Sequence, residues 1–401
     1  MTSFELDLRR NIFPALRAIK RFVDLSINDL NLIDGSVMRN AAGKEVFSGG
    51  GNALIFKYEL ADGSICALRL FKHFPVGEDR IQRLSPLSIA LEKIQSPILA
   101  SYRFFHPGLH LANSDVVTPI LMMGWVDGDS LGRYVEVLCK TKNTVELSHL
   151  LNRWLDLVRE MRRIGLAHGD VTASNVMVRH SDRALVFVDY DDLYLPGLDD
   201  ARLKVQGTTG YQHPKCKGGR PYGSRMDDFS LLLVTVSLAV LAERPEDFLS
   251  TDNLFFRSSD LEDTNSEAFE KMKMLRNPDV KPYVQSLISA CEGSADDAVI
   301  FDEIVFRREI AEFEKSLRPE DRRSSRVQAN LIRNLSVWSR YESGYEHIVN
   351  QVAEKSQVAL DLVIASGHPD WIRDLFTSQN IRREDLRPDQ RRKVAAILGE
   401  A

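Results

Sequence analysis

His168-Gly169-Asp170-Val171-Thr172-Ala173-Ser174-Asn175 runs into Val176-Met177-Val178. After Ser181-Asp182-Arg183, a second apolar stretch, Ala184 to Val188, ends at Asp189-Tyr190. Short apolar runs bounded by a polar turn read as the two strands of a hairpin. Asp170 and Asn175 then precede the first strand and Asp189 closes the second. A carboxylate, an amide five residues on and a second carboxylate after a hairpin are metal- and proton-handling side chains at a spacing that phosphoryl transfer uses. Asp and Asn also serve ordinary caps and turns, so the reading depends on further landmarks in a matching order.

This stretch resembles the protein kinase family, whose catalytic loop reads H-R-D-x-x-x-x-N and whose metal-binding motif reads D-F-G. The resemblance implies that Asp170 accepts or orients the substrate hydroxyl proton, that Asn175 holds one magnesium ion, and that Asp189 bridges magnesium to the nucleotide phosphates. Gly207-Thr208-Thr209-Gly210-Tyr211-Gln212-His213-Pro214 resembles the end of a kinase activation segment, and Asp227-Asp228-Phe229-Ser230 opens the apolar run Leu231 to Ala242. In the family an Asp-x-Trp-Ser sequence enters a buried central helix. By that resemblance Asp227 braces the catalytic-loop backbone and Phe229 replaces the tryptophan. An Asp before an apolar run is also an ordinary helix N-terminus.

Upstream, Val46 to Lys57 reads as strand, small-residue turn and return strand, similar to a degenerate glycine-rich loop with Ser48, Gly50 and Ala53 at its three glycine positions and Gly49 and Gly51 beside them. Small residues let backbone N–H groups approach phosphate oxygens. After the Asp62-Gly63 turn, Ser64 to Lys72 reads as a strand on which Ala67 and Arg69 share one face, because side chains alternate along a strand. The resemblance puts Ala67 against adenine and Arg69 where the family carries its phosphate-gripping lysine. Arginine keeps the charge but has a planar fork in place of a point charge. Residues 78–95 read as the helix that supplies the lysine's glutamate partner, with Glu78 and Glu92 as candidates. Two more strands, Ile98 to His110 and Val117 to Val126, complete an antiparallel sheet. The second runs into Met122-Met123-Gly124-Trp125-Val126, which resembles the kinase hinge: Met123 as gatekeeper, Gly124, Trp125 and Val126 offering backbone groups to adenine.

Other positions depart from the family pattern. Gly169 stands where many kinases carry the arginine that holds a phosphorylated activation loop, and Thr172 where serine/threonine kinases carry a lysine toward the γ-phosphate. Tyr190-Asp191 replaces Phe-Gly, and Asp191 lacks glycine's conformational freedom. Lys215 replaces a glutamate that forms a structural ion pair, so that pair is absent or rebuilt.

The 401 residues are long enough for two or three domains. The formal charge of −5 argues against a dedicated nucleic-acid binder, and the four isolated cysteines carry no metal-site spacing or disulfide density, as expected of a cytoplasmic protein. No membrane segment or secretory signal is legible. The expected architecture is α+β and bilobal. A lead-in segment occupies 1–40, a small antiparallel N-lobe 41–126, a helical C-lobe 127–305 and a helical extension 306–401. In that extension Leu331, Leu335, Trp338 and Tyr341, then Ile348, Val352, Val358 and Leu362, recur at helical spacing and offer a packing face or a protein-partner surface.

The resemblance is to the protein kinase-like superfamily, of the bacterial-type divergent serine/threonine kinase or pseudokinase kind. It implies Mg-ATP-dependent transfer (magnesium or manganese) to a serine or threonine hydroxyl of a protein. The alternatives are a catalytically impaired pseudokinase acting as a nucleotide-binding scaffold and, third, a small-molecule phosphotransferase, which the His-Gly-Asp triplet also resembles.

Overall fold

The computed structural model describes residues 4–5, 35–49, 53–71, 73–74, 78–94, 96–111, 117–198, 204–216, 218–293, 360–361, 363–364, 369–377 and 381–400. Its elements in chain order are β1 Phe4–Glu5, β2 Ser36–Val37, β3 Phe47–Gly49, β4 Ala53–Glu59, β5 Ile65–Phe71, β6 His73–Phe74, α1 Glu78–Glu92, β7 Tyr102–His110, β8 Val117–Gly124 and β9 Gly128–Ser130. There follow α2 Leu131–Lys140, α3 Thr144–Arg163, β10 Val176–Arg179, β11 Leu185–Phe187, β12 Lys204–Val205, β13 Arg220–Pro221, α4 Asp228–Glu243, α5 Glu267–Lys273, α6 Lys281–Glu292, α7 Pro369–Thr377 and α8 Pro388–Leu398. The chain is thus α+β, and it divides into two compact units.

The first unit comprises Met1–Tyr134, Ala173–Leu203 and Tyr222–Ser224. Its main sheet is antiparallel, in the order β2-β4-β5-β8-β7, with β3 also paired to β4. Along β4 the alternation is visible: Leu54, Phe56 and Tyr58 are buried while Ile55 and Lys57 are less so. The β4–β5 connection turns as expected at Asp62-Gly63, where Gly63 has φ +80° and Asp62 accepts the Ser64 N–H at 2.9 Å. Helix α1 packs on β7 through Leu84, Leu87 and Leu91, three and four residues apart and therefore on one face.

The hairpin forms as expected, with Val176 opposite Phe187 and Val178 opposite Leu185; its turn has Arg183 at φ +62°. On the far side β10 pairs with β9, and a Cβ on Gly128 would collide with the Val178 carbonyl, so that close approach needs glycine. The strand expected from Ile98 begins only at Tyr102, because the preceding residues serve the hairpin: the Phe187 N–H donates to the Ile98 carbonyl at 2.8 Å. The strand expected to reach Val126 stops at Gly124, and the helix expected over 78–95 ends at Glu92.

The second unit comprises Val135–Thr172, Lys204–Pro221 and Arg225–Ala401. Helix α4 is buried from Asp228 to Leu241, which its nearly unbroken apolar sequence dictates. It packs against α3, where the wholly buried Trp154 donates its indole N–H to Thr235 at 2.9 Å. Each buried leucine in α4 contributes on the order of 2 kcal/mol. Among the described residues no helix is long and apolar enough to cross a membrane. Gly50, Gly51, Lys72, most of the 1–40 segment and the apolar stripe of Leu331 to Leu362 lie outside the described residues; the C-terminal part that is described, including α7 and α8, is helical.

Candidate functional site

In the first unit, the hairpin brings Asn175 and Asp189 to one end: the Val188 N–H donates to the Asn175 carbonyl at 2.9 Å, one residue before Asp189. Arg69 joins them from β5, an interior strand on which it stands opposite Ile55 on one side and Leu121 on the other. Its Nη1 donates to Asp189 Oδ1 at 2.6 Å and to Asp191 Oδ1 at 2.8 Å, and its Nη2 to Asp191 Oδ2 at 2.8 Å. The two bonds to Asp191 form the fork that a planar guanidinium makes with a carboxylate. The Arg69 side chain is 8% exposed, so burial opposes its charge, but Asp191 and Asp189 outweigh that and hold its pKa above the ordinary value.

Of the two glutamates that α1 offers this cation, one is engaged elsewhere. Glu92 pairs with Arg103 instead, at 2.5 Å, and the Glu78 side chain lies outside the described residues. Helix α1 contributes cations: Arg80 binds Asp191, and Arg83 binds Asp192 at 3.0 Å. Among the described side chains the acids that meet Arg69 come from the 189–192 turn, and α1 adds bases to them. Arg80 also lies over the Phe71 ring, 4.8 Å from its centroid.

Asp191 needs no glycine-like freedom, contrary to expectation. The positive φ falls on Asp189, at +66°, in the left-handed region that Asp tolerates better than most residues. Tyr190 anchors the turn: fully buried, it donates its hydroxyl to the Phe187 carbonyl at 2.6 Å, accepts the Ala100 N–H at 2.8 Å and packs on Tyr102. Burial pushes its hydroxyl pKa well above the ordinary value. Tyr190 thus joins two hydrogen bonds to its ring packing.

Farther along the sheet, the β5–β8 register sets Ala67 opposite Met123. Of the backbone groups expected to face adenine, the Gly124 N–H donates to the Ser101 carbonyl at 2.9 Å and the Trp125 N–H to the Ile65 carbonyl at 3.3 Å. Both are therefore committed to the fold. Val126 makes no hydrogen bond among the described residues. Trp125 carries Lys57 over its ring at 4.5 Å, and its buried indole N–H has no partner among the described residues. Ser48 and Gly49 lie on β3, exposed, opposite Ile55 and Leu54.

In the second unit, the Asp170 carboxylate accepts the Thr208 N–H at 2.7 Å and the Thr208 hydroxyl at 3.0 Å. Asp227, with no exposed surface, makes no cap bond to its own helix; it accepts the backbone N–H groups of His168 and, at 3.0 Å, Gly169. This is the brace that the sequence resemblance implied, and it sets aside the plainer reading of Asp227 as a helix cap. Arg220 reaches the same loop, donating to the Gly169 carbonyl at 2.7 Å and to Gln212 Oε1 at 2.7 Å. Lys215 meets no acid here. Its ammonium donates to the carbonyls of Glu292 and Gly293, at 2.7 and 2.6 Å, so the expected ion pair is rebuilt as a cation on the C-terminus of α6.

Arg80, Arg83 and Arg220 are absent from the residues singled out from sequence, and Asp191 is noted there only for replacing a glycine, not as a partner of Arg69. A signal existed for three of them: Arg80 and Arg83 share one helix face, and the turn Asp189-Tyr190-Asp191-Asp192 carries acids enough to meet them.

No family model matches the chain. It is similar, at 24% identity over 150 residues, to an EKC/KEOPS complex subunit of Schizosaccharomyces pombe (strain 972 / ATCC 24843). The match takes in 35% of this chain and 59% of that protein's length, so the chain spans less than two thirds of this relative. The match is compatible with a distant protein kinase-like relationship and gives no support to a bacterial type.

Proposed function

We propose that this protein is a divergent protein kinase-like phosphotransferase that moves the γ-phosphate of ATP to a serine or threonine hydroxyl of a protein. The observation that carries the reading is the meeting of Arg69 with Asp189, at 2.6 Å, across 120 residues of sequence: the strand cation and the motif carboxylate that the resemblance pairs with phosphate and metal lie together. Asp170 is the proton acceptor, or orients the hydroxyl, and Thr208 holds its carboxylate in one rotamer through two hydrogen bonds. Arg69 grips nucleotide phosphates. Asp191 keeps its guanidinium aimed when Asp189 turns to a ligand, so the charge needed by the phosphates is not lost to the protein's own acid. Ala67, Met123 and the free backbone of Val126 receive the adenine; Ser48, Gly49, Gly50 and Gly51 approach the phosphates.

The residues fit magnesium. Asn175 and Asp189 offer hard oxygen donors from one hairpin end. The Asp189 side chain is 46% exposed, and only its Oδ1 is taken by Arg69. Magnesium commonly takes one or two protein oxygens and completes its shell with water and phosphate. When bound it neutralises phosphate charge; manganese has the same oxygen preference.

A nucleotide-binding scaffold without useful catalysis is the second reading, favoured by the buried Thr172 in place of a lysine. A protein partner at the C-terminal helices suits either reading, as does a likeness to a complex subunit. The deciding experiment is transfer of labelled γ-phosphate with magnesium or manganese, onto the protein itself and a generic protein substrate, beside Asp170→Ala. Transfer that disappears in the variant supports the kinase. Nucleotide-dependent thermal stabilisation without transfer supports the scaffold, and labelling of a small hydroxylated acceptor alone would replace both with a small-molecule enzyme.

A further inference from the structure

Gly169 has φ +86°, a backbone conformation that a side chain bearing a Cβ adopts only under strain. No arginine can therefore stand at this position in this loop conformation without cost, yet a guanidinium is present beside it. It comes from Arg220, on β13, whose strand pairing sets Arg220 opposite the buried Val205 on β12. From there Nη2 donates to the Gly169 carbonyl at 2.7 Å and lies 3.4 Å from Asp227 Oδ1, while Nη1 donates to Gln212 Oε1 at 2.7 Å. Gln212 in turn occupies the space over Gly207, where a Cβ would collide with its amide. Gly207 is followed by Thr208, the residue that holds Asp170. The Arg220 side chain is 11% exposed and faces a carboxylate with no exposed surface.

We propose that Arg220 is a positioning residue for Asp170, locking the 168–170 loop to the 204–220 segment without any phosphate. The inference rests on the reading of Asp170 as the group that acts on the hydroxyl. A loop arginine that waits for a phosphorylated segment would be a switch. Here both terminal nitrogens of the guanidinium are already engaged, Nη2 by a backbone carbonyl and Asp227 and Nη1 by a glutamine, while the buried Nε has no partner among the described residues, so the lock is closed in the unmodified chain. Its chemistry is planar: Nη2 serves both the Gly169 carbonyl and Asp227 while Nη1 reaches Gln212, a fixed fork that an ammonium does not reproduce.

The test compares wild type with Arg220→Met, Arg220→Lys and Gln212→Ala in the full chain. The readouts are kcat and KM for ATP, amide hydrogen exchange at residues 168–170, and rescue by added guanidinium at low millimolar concentration. Arg220→Met should lower kcat about 100-fold, the scale of a displaced catalytic group, with KM for ATP nearly unchanged. Exchange should speed up at 168–170 and not in the β10–β11 hairpin. Arg220→Lys should remain impaired, guanidinium should restore part of the Arg220→Met rate, and phosphatase treatment of wild type should leave its rate unchanged. A uniform rise in exchange over the whole second unit, or full activity in Arg220→Lys, would overturn the positioning role. So would a wild-type rate that falls after phosphatase. If Arg220→Met does not fold, Gln212→Ala carries the same exchange comparison. If wild type transfers no phosphate, the kinase reading fails by itself, while the exchange pattern still decides whether Arg220 braces the loop.

Discussion

Two charged clusters, one in each unit, are built from the same side chains and do different things. Around Arg69, three arginines meet three aspartates side chain to side chain, and several remain partly open: Asp189 at 46%, Asp192 at 37% and Arg80 at 30% exposure. Around Asp227, carboxylate and guanidinium are spent on backbone groups of the 168–169 loop, the carboxylate closed to solvent and the guanidinium nearly so. Side-chain pairs with exposed members can exchange partners at little cost, since each charge can be solvated while it moves. Bonds from a buried carboxylate to backbone N–H groups cannot, because breaking them strands buried polar atoms. The first cluster is thus suited to trading a protein partner for a ligand, the second to holding a loop still.

The largest effect that separates the two is on stability. Asp227→Ala should cost about 3–5 kcal/mol, because Arg220 and two backbone N–H groups lose a buried acceptor. Urea denaturation would show it as a lowered midpoint, and a change below about 1 kcal/mol would mean that the brace is weaker than its burial implies. Next, Asp170→Ala should leave nucleotide affinity in place and reduce transfer roughly 100- to 10,000-fold, the usual worth of a positioned proton acceptor. Retained transfer removes Asp170 from the mechanism.

In the exchangeable cluster, Arg69→Met should weaken ATP binding about tenfold or more, as expected when a charge-assisted hydrogen bond to phosphate is lost. Calorimetry that finds the same Kd would remove Arg69 from the phosphate site. Asp191→Asn should fall between, keeping the arginine but loosening its aim. Lys215→Ala should cost only about 0.5–1 kcal/mol, the range of a cation on a helix C-terminus, and leave both clusters intact. The smallest effect is a chemical one. Burial pushes the thiols of Cys66, Cys139 and Cys291 up to about 12, so at pH 8 they stay protonated and inert in the folded protein, whereas Cys216 is partly exposed. A thiol reagent should modify Cys216 first. Early labelling of Cys66, three residues before Arg69, would show that β5 opens and that the first cluster is looser than drawn.

Much of this organisation was legible in particular residues. The Val176–Val178 and Ala184–Val188 runs with a polar turn specify a hairpin, and the apolar run after Asp227 specifies a buried helix. Asp62-Gly63 specifies the turn before β5. The strand ends were less legible, since Ile98 looks like a strand continuation but bonds the Phe187 N–H of the hairpin, and Trp125 lies past the end of β8 while its N–H still reaches Ile65 of β5. The site was legible as a set of residue types, with Arg69 and Asp189 marked by their places on strand and hairpin. The partner of Arg69 was not legible, because local spacing on α1 gives neither Glu78 nor Glu92 priority and gives no hint of the acids on the 189–192 turn.

Sequence by itself determined the elements whose causes are local: strand alternation, turn chemistry, the apolar helix, and the carriage of Asp170, Asn175 and Asp189 on one loop-hairpin stretch. Tertiary structure decided who meets whom. Arg69 and Asp189 are 120 residues apart and Arg220 and Gly169 are 51 apart, distances over which no periodicity survives. Any of several acids could neutralise a buried guanidinium. Which acid does so depends on where packing of β5, α1 and the Tyr190 anchor leaves the carboxylates, and that is a property of the folded core.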